Sequence, residues 1–199
     1  VAETTFEQKV GPIDVTFTNL GGGLRKVTLP PHVYSGDEPT VLNRDGSAAI
    51  GSLTGNTGDV ADGAYELKSP AGQFPVVFER TTPEWLVVRK TWTPSGTGGA
   101  EGFLWKLQLT VKNTGTAQYT GTPGVHAGTA SPMRDSDQPT PSVAWNGDGD
   151  ANNEHVGWFK GSGFLGMQFR QPSNLFSRDF GQLLWAGVFS QYYTTLVSN

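Results

Sequence analysis

Cysteine does not occur in this sequence. Its absence excludes disulfide bonds, thiolate metal sites and a cysteine nucleophile, and leaves the redox compartment open. Charge is scarce as well: Asp, Glu, Lys and Arg make up 16% of the residues, and the net charge is −4. Nucleic-acid binding draws on clustered Lys and Arg, so no nucleic-acid partner is expected. Long hydrophobic runs are also missing. The longest, Leu183 to Phe189, falls far short of the roughly 20 residues that a transmembrane helix needs. No initiator Met opens the chain, and no charged segment followed by an apolar one marks a signal peptide. Helical periodicity is lacking too. No stretch of about ten residues or more repeats its apolar positions at helical spacing, and the one short helix expected, over residues 173–180, is weakly marked.

Turns and aromatics are abundant instead, with 27 Gly, 13 Pro, 11 Phe, 6 Trp and 5 Tyr in 199 residues. That length suits one large domain over residues 1–199, able to bury a sizeable core. In "IDVTFTN", Ile13, Val15 and Phe17 alternate with Asp14, Thr16 and Thr18, a period of two that predicts a strand. "LGGGL" then predicts a tight turn at Gly21, Gly22 and Gly23, with "RKVTLPP" as the returning strand. No phosphate-loop or dinucleotide pattern accompanies those glycines. Residues 35–73 read as long loops with brief strands. "FPVVFER" and "EWLVVRKTWTP" resume strand chemistry, and "FLWKLQLTVKN" alternates most regularly, with Phe103, Trp105, Leu107, Leu109 and Val111 on one face. After a polar stretch over 131–157, "GFLGMQF" and "LLWAGVFSQYYTTLV" return to strand. The expected class is all-β and antiparallel, with enough strands for two packed sheets.

Few residues invite chemistry. "NGDGDANNE" places oxygen ligands at Asn146, Asp148, Asp150 and Asn152. A calcium loop of the EF type needs Gly sixth and Glu twelfth, and Ala151 and Gly157 stand there. The segment therefore reads as a hairpin tip, and no metal or cofactor is expected. His32, His126 and His155 are not spaced as zinc ligands. His126 follows an expected strand and, if it met Glu79 or Glu84, would form an acid–base pair; with 18 carboxylates in the chain, such a pairing carries little weight. No nucleophile elbow is present, and no catalytic residue is assigned. Trp145 and Trp158 flank the polar loop and are the aromatics expected to be exposed.

Four segments, in order, resemble the large periplasmic domain of the YidC family of bacterial membrane protein insertases. They are "IDVTFTNLGGGLRKVTLP", "FERTTPEWLVVRKTWTPS", "WKLQLTVKNTGTAQYT" and "LLWAGVFSQYYTTLVSN". The last is similar to a family strand with Trp, Gln and two aromatics, here Trp185, Gln191, Tyr192 and Tyr193. The resemblance implies a twisted β-supersandwich like that of galactose mutarotases, tethered in the periplasm between a first transmembrane helix and a five-helix core. It implies a non-catalytic role, aiding insertion by contacting Sec translocon accessory subunits or client membrane proteins, with Gln191, Tyr192 and Tyr193 as candidate partner-binding residues. A mutarotase-like sugar enzyme or a carbohydrate-binding module is the alternative on the same fold.

That resemblance also makes both ends read as internal to a longer protein. Residues 185–197 alternate without interruption, and both faces carry apolar groups. A single central strand covered on each side is expected there, with Phe189 buried and a bare edge seeking a partner strand.

Overall fold

The computed structural model describes residues 1–35, 37–55, 62–132, 140–164 and 167–198; parts of the stretches 35–73, 131–157 and "GFLGMQF" thus lie outside the described residues. The chain forms two compact units, Val1–His126 and Ala127–Asn199. Both are built from β-strands, and every pairing is antiparallel.

The first unit opens with a meander of β1 (Thr5–Val10), β2 (Ile13–Thr18), β3 (Gly23–Ser35) and β4 (Glu38–Leu42), paired in that order. The alternation of β2 holds: Ile13, Val15 and Phe17 are buried in the core. β2 lies inside the sheet, and Thr16 and Thr18 on its other face are buried as well. The Thr18 hydroxyl is satisfied, donating to the Glu3 carboxylate at 2.7 Å and accepting from the Leu20 N–H at 3.1 Å. The glycine turn also forms as expected, with Gly21 at φ +77° and Gly22 at φ +55°.

A second sheet pairs β6 (Glu66–Leu67), β7 (Val76–Thr81), β8 (Leu86–Pro94) and β9 (Trp105–Asn113) in that order. A small ribbon joins β5 (Leu53–Thr54) to β10 (Gly124–Val125). β9 keeps its predicted alternation but starts at Trp105; Phe103 falls in a 3-10 turn, Gly99–Phe103, and is exposed. Phe17 ties the two sheets together. Its ring lies 6.2 Å from Phe78, 6.4 Å from Trp92 and 5.8 Å from Trp105, with Phe6 stacked behind it at 5.3 Å. Register sets three cross-strand rows on the inner face of the second sheet: Val76–Trp92–Leu107, Phe78–Lys90–Leu109 and Arg80–Val88–Val111. The rows pass from aromatic to charged along the sheet, and the functional question begins where the apolar row breaks.

The second unit holds β11 (Ser142–Gly147), β12 (Asp150–His155), β13 (Ser162–Phe164), β14 (Met167–Arg170), β15 (Leu183–Phe189) and β16 (Thr194–Ser198). One sheet runs β12-β11-β15-β16, and β13 and β14 form a ribbon. The predicted hairpin tip is present: Asp148 and Gly149 take φ +56° and +91° between β11 and β12, the pair of positive values that a two-residue hairpin turn requires. Three expectations fail in this unit. The segment 173–180 has no helix; instead Phe176 and Phe180 lie against Trp145 at 5.2 and 6.2 Å. Trp145, expected to be exposed, is therefore buried. Residues 185–197 are not one strand but a hairpin of β15 and β16. The Ser190 hydroxyl accepts from the Tyr193 N–H and donates to the Tyr193 carbonyl, both at 3.2 Å, closing the turn. β15 runs inside its sheet between β11 and β16 but is only half-buried at Phe189, and β16 is an exposed edge, so the expected strand with both faces covered is not formed.

Candidate functional site

The pattern of β8 carries an anomaly. Leu86, Val88 and Trp92 face the core, and so does Lys90, whose exposure is 0%. An ammonium taken out of water without partners costs several kcal/mol. Lys90 Nζ has three: it donates to the Gly21 carbonyl at 2.6 Å, the Gly51 carbonyl at 2.7 Å and Asp62 Oδ2 at 2.6 Å. All three ammonium protons are thereby used. The Tyr65 ring adds a cation–π contact, its centroid 4.7 Å from Nζ.

Asp62 is equally saturated. Oδ2 also accepts from the Leu53 N–H at 2.8 Å, while Oδ1 accepts from the Tyr65 hydroxyl at 2.9 Å and the Gly63 N–H at 3.1 Å. Arg80 Nη1 lies 3.3 Å from Oδ1. Burial holds the Lys90 pKa below its ordinary value, and the Asp62 carboxylate offsets only part of that shift. Burial, and then Asp62, push the Tyr65 phenol up, which keeps Tyr65 protonated as a donor. With every one of these donors and acceptors committed, the cluster is a clamp. It fastens the glycine turn, the backbone at Gly51 and β5 onto β8.

Beyond the clamp a cleft of about 720 Å³ opens within the first unit. Arg80, Val88 and Val111 lie along its floor in one cross-strand row, Leu53 and Leu86 add apolar wall, and Glu84 and Tyr119 are exposed beside them. Arg80 Nε has no hydrogen-bond partner. Hydrogen bonds from the Thr82 side chain, and then from its own backbone, hold the Glu84 carboxyl below the usual range, so it is ionised at neutral pH.

Apart from Glu84, the residues singled out in the sequence fall elsewhere. Glu79 pairs with Arg89 across β7 and β8, at 3.9 Å. His126 bonds through its backbone to Gly51 and Ser52, and its buried Nε2 has no hydrogen-bond partner; burial alone pushes its pKa down. The acid–base pair that His126 would have formed with Glu79 or Glu84 is thus not assembled through its Nε2. Asp148 does not present a free carboxylate: it accepts from the N–H groups of Gly181 and Gln182 at 3.3 and 2.8 Å. His32 lies on β3 and His155 ends β12, where its ring is 3.4 Å from the Asn153 amide. Trp158 is half-buried, with Arg170 4.6 Å above its ring. Gln191, Tyr192 and Tyr193 form the tip of the β15–β16 hairpin, where Tyr192 is 67% exposed. Among the described residues no group of three or more His, Asp or Glu side chains converges as a metal site, and no helix is long and apolar enough to cross a membrane.

The sequence pattern did carry one unused signal, a lysine on the core-facing positions of "LVVRKTWTP". Its partner Asp62 lies 28 residues away, in a loop that periodicity does not place. Comparison with known protein families, curated proteins and solved structures finds no match to this chain.

Proposed function

We propose that this chain is a non-catalytic periplasmic β-domain of a YidC-type membrane protein insertase, a supersandwich of the mutarotase type that contacts Sec accessory subunits or client segments. One observation carries this reading. The four segments that resemble the family fall, in chain order, on the β2–β3 hairpin, the β7–β8 pair, β9 and the β15–β16 hairpin, the first ending at Pro30 within β3 and the second beginning at Phe78 within β7. The rival sugar enzyme needs a histidine beside a carboxylate, whereas His126 Nε2 has no partner and Glu79 pairs with Arg89. Binding at the hairpin needs only what is exposed there, the Tyr192 ring and the open edge of β16, which suits strand addition by an extended partner.

A photo-crosslinking amino acid in place of Tyr192, in the full-length membrane protein, tests the proposal. Adducts with Sec accessory subunits or with membrane proteins under synthesis are expected. Absence of such adducts, together with sugar anomer interconversion by the purified chain, would establish the rival. The encoding gene gives an independent check: a hydrophobic helix before Val1 and five after the domain are expected.

A further inference from the structure

The clamp leaves a charge imbalance at the floor of the cleft. Lys90 and Arg80 contribute two positive charges, and Asp62 contributes one negative charge against them. Lys90 is sealed inside, so the unmatched charge falls to Arg80, which lines the cleft with 18% of its side chain exposed. Arg80 Nη1 is engaged with Asp62 and Nε has no partner. Glu84 lines the same cleft and interacts with Arg80, but it is fully exposed, and water screens its charge far more than that of a group on the floor.

Val88, Val111 and Leu86 give the cleft an apolar wall, and Thr54, Thr82, Asn113 and Gln118 add polar groups to its lining. The Tyr119 ring, 45% exposed, stands beside the opening. The volume, about 720 Å³, lies within the range of small-molecule sites, which combine an apolar lining with a few placed polar groups. A carboxylate matches such a site on both counts. It sets an acceptor against the exposed part of the Arg80 guanidinium, and its apolar remainder covers Val88 and Val111. A neutral polyol would set no anion against Arg80 on the cleft floor.

We propose that this cleft binds a carboxylate with an apolar body, its anion on Arg80 and its hydrocarbon part on the Val88–Val111 row. Both a free aliphatic acid and the C-terminus of a polypeptide carry this chemistry. The site rests on the geometry of the first unit and not on the insertase reading, so either can fail alone.

Heteronuclear NMR on the purified chain tests it, with N-acetyl-leucine, its uncharged amide N-acetyl-leucinamide, and glucose as probes. N-acetyl-leucine is expected to shift the amide signals of Arg80, Val111 and Tyr119, with an affinity at least about tenfold above the amide's, the difference that roughly 1.4 kcal/mol of charge recognition produces. Arg80→Gln should remove that preference. Because Arg80 also braces Asp62, a second variant is needed: Val111→Trp, at a half-exposed position away from the clamp, should fill the cleft and abolish binding with the fold intact. A tetrapeptide ending in leucine separates the two sources. Tighter binding than N-acetyl-leucine identifies a polypeptide terminus, and equal binding identifies a free acid. Equal affinity for the amide, stronger binding of glucose, binding that survives Val111→Trp, or no shift with any probe at tens of millimolar would each overturn the proposal.

Discussion

Lys90 and Asp62 decide at the residue scale how the first unit holds together. A buried ion pair is not strongly stabilising in itself, but removing one partner leaves the other as an uncompensated charge, at a cost of about 3–5 kcal/mol. The two partners are not equivalent. Without Asp62, both Lys90 and Arg80 lose their counter-charge, whereas without the Lys90 ammonium Asp62 keeps Tyr65, Arg80 and two backbone N–H groups. Asp62→Ala should therefore destabilise the chain more than Lys90→Met, and urea unfolding of both variants measures the difference; the reverse order would mean that Lys90, not Asp62, is the hub. His126 adds a pH dependence of defined sign. Burial holds its folded pKa below the ordinary value of about 6.5, so the unfolded chain binds the proton more readily. Stability is complete above about pH 6.5 and falls as the pH drops toward the depressed folded pKa. His126→Gln should flatten the stability profile between about pH 7 and 5. An unchanged slope would assign that titration to another group.

At the scale of elements, what was legible in the sequence followed from local chemistry. The β2–β3 turn was readable because three glycines follow a clean alternation, and the tip at Asp148 and Gly149 because an Asp-Gly pair favours positive φ at both positions. The β15–β16 turn was not readable. "SQYY" contains no Gly, Pro, Asn or Asp, and a serine side chain bonding its own turn leaves the two-residue alternation unbroken on either side. The segment 173–180 misled in the other sense: its apolar residues answer to Trp145 in space rather than to a helical face. Glycine positions allow a direct test of how tightly the elements fit. At Gly22, φ is +55° and an added Cβ would meet the Tyr65 ring at 2.9 Å. At Gly72, φ is +82° with nothing within 4 Å. Both alanine variants carry backbone strain of roughly 1–3 kcal/mol, but only Gly22→Ala must also displace a core ring. Thermal unfolding should show the larger loss for Gly22→Ala, and equal losses would mean that Tyr65 yields freely.

On the scale of the whole molecule, neither the division after His126 nor the clamp was visible in the sequence, because both are set by contacts distant along the chain. "TPGVHAGTAS" differs little in composition from the loops within either unit. The candidate site was legible only as a misplaced lysine; the cleft needed the register of β7, β8 and β9, which alternation does not fix. The end of the chain offers the last test. From Gly181 to Asn199 no residue is charged, and β16 lies at the edge of its sheet with Leu196 52% exposed. Edge strands ordinarily carry Lys, Pro or a bulge that discourages pairing, and β16 has none of these between Thr194 and Ser198. Two copies meeting antiparallel through β16 would face no charge repulsion and would extend the β12-β11-β15-β16 sheet across the contact. The isolated chain should therefore show a mass that rises with concentration in light scattering. Leu196→Lys, which adds charge to the edge without altering the turn at Ser190, should restore a monomer with little change in Tm. If the variant scatters as the parent does, β16 is not the contacting edge, and the strand-addition role proposed for this hairpin loses its physical basis.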